Sequence, residues 1–375
     1  MGRQKPPLQL KASPTDTTST RAPPRTGLAQ TFLNYALNSP LWKQVLVPQA
    51  RQNIVKTAES NGIPWNESKE WIKNNAEMKE IPPFTVPEYY KNAFHAYEEG
   101  NLSWDAAWEV EIASCSVGAR NFPQYGANGE DAFRGAFDSA LNEASATVPD
   151  DGKILDLGCG TGMSTRRLAR NFPQASSIQG IDLSPYFVEI GKQLLELEPK
   201  SFQEGGTWVS NVQNDSRILY TFGDAANTGF DDASFDVVNL QFVLHELPED
   251  AALTIIDEAL RVLKPEGQLW ICEMDFESPA YAAQRANALL FSLIRSTEPY
   301  LDIYAESISD LFRYIGTRFN DVKILPATGR HYSLVATKGD PDEEMTYTDL
   351  RFDGDGEYRV EDTHLKMWES KEESP

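Results

Sequence analysis

Between Lys153 and Gly162 the chain reads Lys-Ile-Leu-Asp-Leu-Gly-Cys-Gly-Thr-Gly, an apolar strand that breaks into three glycines at alternate positions. Bare backbone there lets a ligand lie close, and the amides of a helix starting near Met163 point at it. The spacing also selects the ligand. A dinucleotide turn needs G-x-G-x-x-G/A, whereas Gly158, Gly160 and Gly162 are followed by Met163, which would crowd a pyrophosphate. Asp182 closes a second apolar strand 20 residues beyond Gly162, where a carboxylate can accept from both hydroxyls of a ribose. The same acid can instead cap the next helix, but Ser184-Pro185 already offers an N-cap and a first-turn proline. Gly223-Asp224-Ala225 follows a third strand, and Gln241, Phe242, His245 and Glu246 follow a fourth. Histidine is the natural proton acceptor near neutral pH. His245 is therefore a candidate base, with Glu246 beside it and His95 as a second candidate; a histidine merely packed at a strand end accounts for His245 equally well.

These residues need a scaffold, and the periodicity supplies one. Strands at Ile154 to Leu157, Ser177 to Ile181, Ile218 to Phe222, Phe235 to Leu240 and Gln268 to Glu273 alternate with helices at Ser164 to Asn171, Pro185 to about Leu197 and Asp250 to Leu263. Ser278-Pro279 opens a further helix to about Ser296, and Val322 to Leu325 with Tyr332 to Thr337 form a closing pair of strands. Alternating β and α units imply a mostly parallel sheet covered on both faces. Ahead of it, residues 28–148 carry helical patterns: one from Thr31, then Trp65 to Met78, Pro87 to Tyr97, a helix capped by Ser103, and Asp131 to Ala146. Trp104, Trp108, Tyr89, Tyr90 and Tyr125 are candidates to line an acceptor pocket from this cap, against the commoner fate of core packing. Glu109 and Arg120 are its charged candidates. Residues 1–27 are rich in Pro, Ser and Thr with five basic residues against one acid, which reads as a transit-peptide-like segment or an ordinary tail. From residue 339 acids outnumber bases roughly three to one, and Thr346 to Phe352 can pair with Glu357 to Val360 across a turn.

Composition sets limits. The 375 residues carry 34 Lys and Arg against 56 Asp and Glu, a net charge of -22. That field repels nucleic acid, so a nucleic-acid substrate is discounted. No apolar run is long enough to span a bilayer. Cys115, Cys159 and Cys272 have neither paired metal-ligand spacing nor the number for a disulfide framework; no metal is called for.

The string Asp156-Leu157-Gly158-Cys159-Gly160-Thr161-Gly162 resembles the first motif of the class I S-adenosylmethionine-dependent methyltransferases, and the resemblance extends over about residues 153–338. Asp182-Leu183-Ser184-Pro185 and Phe242 to Leu247 are most similar to the ubiquinone/menaquinone-biosynthesis and sterol-type group. It implies a Rossmann-like α/β fold of seven mostly parallel strands with an N-terminal helical cap: residues 28–148 the cap, 149–338 the cofactor domain, 339–375 an acidic tail. It also implies S-adenosyl-L-methionine as cofactor. Asp156 would order the glycine turn and the cofactor's ammonium, with the Gly158 carbonyl as direct acceptor. Asp182 would hold the ribose, with Leu183 against the adenine face. Asp224 and the Ala225 amide would read the base edge, and Gln241 and Phe242 would sit next to the sulfonium. The acceptor would be a small phenolic, quinone-like or carboxylic molecule methylated on O, C or S. Cap segments Asn34 to Trp42 and Asn92 to Trp104 resemble plant, algal and cyanobacterial members, which implies chloroplast or cytoplasm. Two rivals stay open: a cofactor-binding protein without turnover, and a nucleotide-dependent oxidoreductase. Oligomeric state is not legible.

Overall fold

The computed structural model describes residues 47–92, 94, 97, 99–197, 214–286, 291, 298–340 and 345–359. His95, the segment from Thr31 and the transit-like residues 1–27 lie outside them.

Eight strands form one sheet: β1 (Lys153–Leu157), β2 (Ser177–Asp182), β3 (Ile218–Phe222), β4 (Phe235–Gln241), β5 (Leu263–Met274), β6 (Asp321–Thr328), β7 (His331–Thr337) and β8 (Thr346–Asp349). Their order is β3-β2-β1-β4-β5-β7-β6-β8. β1 to β5 are parallel, β7 runs antiparallel to both β5 and β6, and β8 is parallel to β6. The chain winds outward from β1 to β3 and then returns to β4 on the other side. The tips of β1 and β4 therefore flank the point where winding reverses, where open α/β sheets bind ligands.

The apolar runs form strands because both faces are covered: in β1 every residue after Lys153 is buried, and in β4 only the second and last residues are partly exposed. One face packs on α7 (Glu249–Val262) and α9 (Leu301–Gly316), the other on α4 (Gly129–Glu143) and α5 (Met163–Asn171). The cap adds α1 (Val47–Ser60), α2 (Trp65–Asn75) and α3 (Trp104–Asn121), and rests on α6 (Pro185–Glu196).

The sequence expectations need several corrections. The sheet has eight strands, not seven, because Thr346–Asp349 of the acidic segment pairs with β6; the expected pairing across the following turn is short, an antiparallel Phe352–Tyr358 bridge flanked by hydrogen bonds from Asp353 N to Glu357 O and from Arg359 N to Arg351 O. Pro87 to Tyr97 is not a helix: only Glu88–Lys91 turns, as a short 3₁₀ segment bounded by extended Pro87 and Asn92. α9 was not anticipated, although Leu301, Tyr304, Ala305, Ile308, Leu311, Phe312 and Ile315 are buried at helical spacing. The helix opened by Pro279, here α8, is described over Pro279–Ala286, and its expected continuation lies largely outside the described residues.

Trp104 and Trp108 follow the core-packing alternative. They stack on each other at 6.5 Å, Trp104 meets the edge of Tyr186 on α6 at 5.2 Å, and the Lys73 ammonium lies over Trp108. Tyr125 packs on Phe122. Glu109 is buried against Arg51, Lys69 and Tyr97, a network that ties the cap helices together away from the sheet tips.

Candidate active site

The glycine turn leaves β1 with Gly158, Gly160 and Gly162 all at positive φ. At Gly162 (φ +93) a Cβ would sit 2.0 Å from the Tyr220 hydroxyl oxygen, so only glycine closes the turn onto the sheet. At Gly160 (φ +56) a Cβ would meet nothing within 4 Å, so this backbone faces open space and forms a cradle.

Two acids brace the turn. Asp156 is fully buried, and its carboxylate accepts from Ser164 Oγ (2.7 Å), Thr165 Oγ1 (2.6 Å) and Asn239 Nδ2 (2.6 Å). It thereby ties β1 to the start of α5 and to β4. Burial raises its pKa despite these donors. Asp182 accepts from the Gly160 amide on Oδ2 (2.9 Å) and from the Ser184 amide on Oδ1 (2.7 Å). Ser184 in turn caps α6 by accepting from Phe187 N, so both caps weighed from the sequence are made. The Tyr90 hydroxyl reaches Asp182 Oδ1 at 3.3 Å. Asp224 closes its turn by accepting from Ala226 N at 2.8 Å, beside a nearly buried Ala225. Tyr89 is pushed up to about 12 by burial first and then by the charges of Asp224 and Asp250. Tyr90 thus lies at the tip of β2, and half-buried Leu183 follows Asp182.

At the tip of β4 the chain turns sharply, with Phe242 at φ +57, costly for an aromatic residue. Its ring stacks on Phe133 of α4 at 5.6 Å and meets the edges of Phe137 (5.4 Å) and His331 (5.7 Å). Tyr281 of α8 closes on His331 from the other side at 5.9 Å. His331 is held neutral, down to about 3, by burial first and then by Arg330, His245 and Arg120, and its Nδ1 pairs with Thr328 Oγ1. The aromatic wall is therefore Phe133, Phe137, Phe242, Tyr281 and His331, from elements far apart in the chain.

Beside this wall stands a buried acid–base cluster. His245 Nδ1 lies 2.9 Å from Glu273 Oε2, while Glu273 Oε1 accepts from Met274 N. Glu273 is fully buried. Burial alone would lower the imidazole, but Glu273, Glu298 and Glu246 together raise it to about 9. His245 is therefore an imidazolium at neutral pH, and its Nε2–H has no partner among the described residues. Glu246 is raised to about 8, first by burial, then by Glu298 and Asp182, against the lowering effect of His245. Glu298 is raised by burial, and its Oε2 is buried without a hydrogen bond among the described residues. Of the expected residues, the fold brings together Asp156, the three glycines, Asp182, Leu183, Asp224, Ala225, Gln241, Phe242, His245 and Glu246. Sequence reasoning missed Tyr90 as a neighbour of Asp182, and missed Glu273. The signal for Glu273 was present: a carboxylate inside the apolar run Leu269 to Met274.

Residues 155–271 match a family model described as a methyltransferase domain. The chain is 30% identical over 176 residues to a demethylmenaquinone methyltransferase of Clavibacter sepedonicus, covering 47% of this chain and 61% of that one. It is 30% identical over 147 residues to the Bacillus subtilis protein of the same name, covering 39% and 55%. The chain thus spans about three fifths of the length of the curated relatives it matches. Among solved structures it is similar to a putative S-adenosylmethionine-dependent methyltransferase of Methanococcus maripaludis, at 17% identity and TM-score 0.41, covering 70% of this chain and 99% of that one. The strand order with β4 and β1 at the reversal point is that of a Rossmann-like α/β sheet. Residues 155–271 thus match a methyltransferase domain, and the chain is similar over part of its length to demethylmenaquinone methyltransferases.

Proposed function

We propose that the whole chain transfers a methyl group from S-adenosylmethionine to a small, ring-bearing acceptor with an ionisable hydroxyl, of the phenolic or quinol-like class. The observation that carries this reading is the juxtaposition at the sheet's reversal point. A glycine cradle flanked by two strand-end acids abuts an aromatic wall that includes a buried imidazolium–carboxylate pair. The names of the demethylmenaquinone methyltransferases support the quinone-like class.

The residues present fit the cofactor: the open backbone at Gly160 accommodates a chain lying against it. Gly158, Gly160 and Gly162 would hold its methionine part, Asp182 and Leu183 the ribose, Asp224 and Ala225 the adenine, and Gln241 and Phe242 the reacting end, with Asp156 fixing the turn. When bound, S-adenosylmethionine supplies a methyl already activated on sulfur, so the protein's share is positioning and desolvation. His245, charged and oriented by Glu273, donates from Nε2 to the acceptor's oxygen and stabilises it as an anion. Glu246, with an affinity for protons far above an ordinary carboxylate, takes the hydroxyl proton. His245 thus serves as donor rather than as the base first weighed for it. The acidic surface accords with a small-molecule acceptor rather than nucleic acid. A plastid address in residues 1–27 belongs to the same proposal; a fluorescent fusion of that segment that stays in the cytosol would remove it.

The test is incubation with methyl-labelled cofactor and a panel of quinols, phenols and carboxylates, with mass identification of products. Label in a quinol or phenol product supports the reading; label only in a macromolecular fraction refutes it. Asp182→Ala should weaken cofactor binding while the sheet's circular dichroism persists.

A further inference from the structure

We propose that Arg134, on cap helix α4, receives the carboxylate of the cofactor's methionine part; this rests on the methyltransferase reading above. Adenosine-binding acids stand at the tips of β2 and β3, and the aromatic wall stands at the tip of β4. A ligand joining the two crosses the glycine turn with its amino-acid end near the tips of β1 and β4. That end carries a carboxylate, whereas the strand-tip side chains there and at the adjacent turn include the acids Asp156 and Glu246. A counter-charge must come from elsewhere.

Arg134 supplies it. Its side chain crosses from the cap to the tip of β4, where Nη1 donates to Gln241 Oε1 at 2.5 Å. Its Cζ lies 5.9 Å from the centre of the Phe242 ring, and its charge reaches Asp156. The guanidinium is about nine-tenths buried, at 9% exposure, and is aimed rather than free. Nε donates to Glu130 Oε1 at 2.8 Å one helical turn back, and Nη2 to Ser114 Oγ of α3 at 3.3 Å. Ser114 also donates to Glu130 Oε1, so two cap helices hold the group. Arginine carries five N–H donors in a planar fork. Three are used, which leaves one on Nη1 and one on Nη2 without a partner among the described residues. One donor on each Nη is the number a carboxylate takes from an arginine fork. Glu130 pairs with the guanidinium through Nε, so the two Nη groups remain to face a ligand. The cap, outside the matched family region, would thus complete the cofactor site, and cofactor affinity would report cap docking.

The experiment is titration calorimetry of the full chain with S-adenosylmethionine, S-adenosylhomocysteine and decarboxylated S-adenosylmethionine, for the wild type, Arg134→Gln and Arg134→Lys. The wild type should prefer the carboxylated cofactor by about 10- to 100-fold, the range for a hydrogen bond to a charged group. Arg134→Gln should lose about that factor for the two carboxylated ligands and leave the decarboxylated one unchanged, and Arg134→Lys should fall between. A wild type that binds the decarboxylated ligand equally well overturns the inference whatever the variants do. Arg134→Gln weakening all three alike, or keeping the preference, overturns it as a purely structural role. A wild type that binds none of the three overturns the methyltransferase reading as well, which separates the two failures.

Discussion

Replacing Glu273 by Gln tests the acid–base cluster at its origin. The amide keeps the shape and can still accept from Nδ1–H of His245, now 2.9 Å from the carboxylate, but the charge is gone. Among the causes acting on His245, burial is the largest and favours the neutral ring, while the Glu273 charge and its hydrogen bond are the next two and favour the cation. Losing the charge and weakening the hydrogen bond to a neutral one leaves mainly Glu298 and Glu246 against burial, so the titration midpoint should fall from about 9 to below its ordinary 6.5. That corresponds to more than about 3 kcal/mol of lost preference for the imidazolium. At pH 7.5 the charged fraction would drop from about 97% to under about 10%. Only four histidines occur in the chain, so ring resonances can be followed by NMR and the signal assigned with His245→Gln. Turnover at pH 7.5 should fall by about the same tenfold or more, and the deficit relative to the wild type should shrink at pH 6 as the ring recharges. A His245 midpoint within about half a pH unit of the wild type would refute the reasoning, because Glu273 would then not be the source of the charge.

Glu246→Gln should lower turnover by about 100-fold or more with cofactor affinity kept, and the rising limb of the pH–rate profile near 8 should vanish. Folding stability should decline with rising pH. His245 and Glu246 each bind a proton more tightly folded than unfolded, so the folded chain holds more protons and stability falls between about 4.5 and 8 for Glu246 and between 6.5 and about 9 for His245. Melting temperatures from pH 5 to 10 should show a slope that flattens in the double variant His245→Gln, Glu246→Gln. Arg351, just 2% exposed, pairs with fully buried Asp275 at 3.0 Å and with Asp349 at 2.6 Å, under the rings of Phe312 and Phe352. Arg351→Ala should cost about 3–5 kcal/mol in urea unfolding, as a broken buried pair does; a cost below about 1 kcal/mol would show the tail to be weakly docked.

The glycine turn, its two acids and the strand–helix alternation were legible in the chain because they depend on local rules. Alternate glycines at positive φ, an acid at a strand's end and a Ser-Pro helix start each carry their meaning within a few residues. The proposed cofactor half of the site is of this kind, since one strand and the turn after it supply each part. The proposed acceptor half is not. Phe133, Phe242, Tyr281 and His331 meet only because α4, β4, α8 and β7 converge, and nothing in their spacing records it. The same holds for β8, whose short polar sequence becomes a strand through pairing with the open edge at β6. The state of His245 is likewise tertiary. An isolated histidine titrates near neutrality, and it is Glu273, 28 positions away on the neighbouring strand, that raises His245 against the opposing effect of burial. Local backbone chemistry is written in order along the chain, whereas charge, desolvation and ring packing depend on which strands become neighbours.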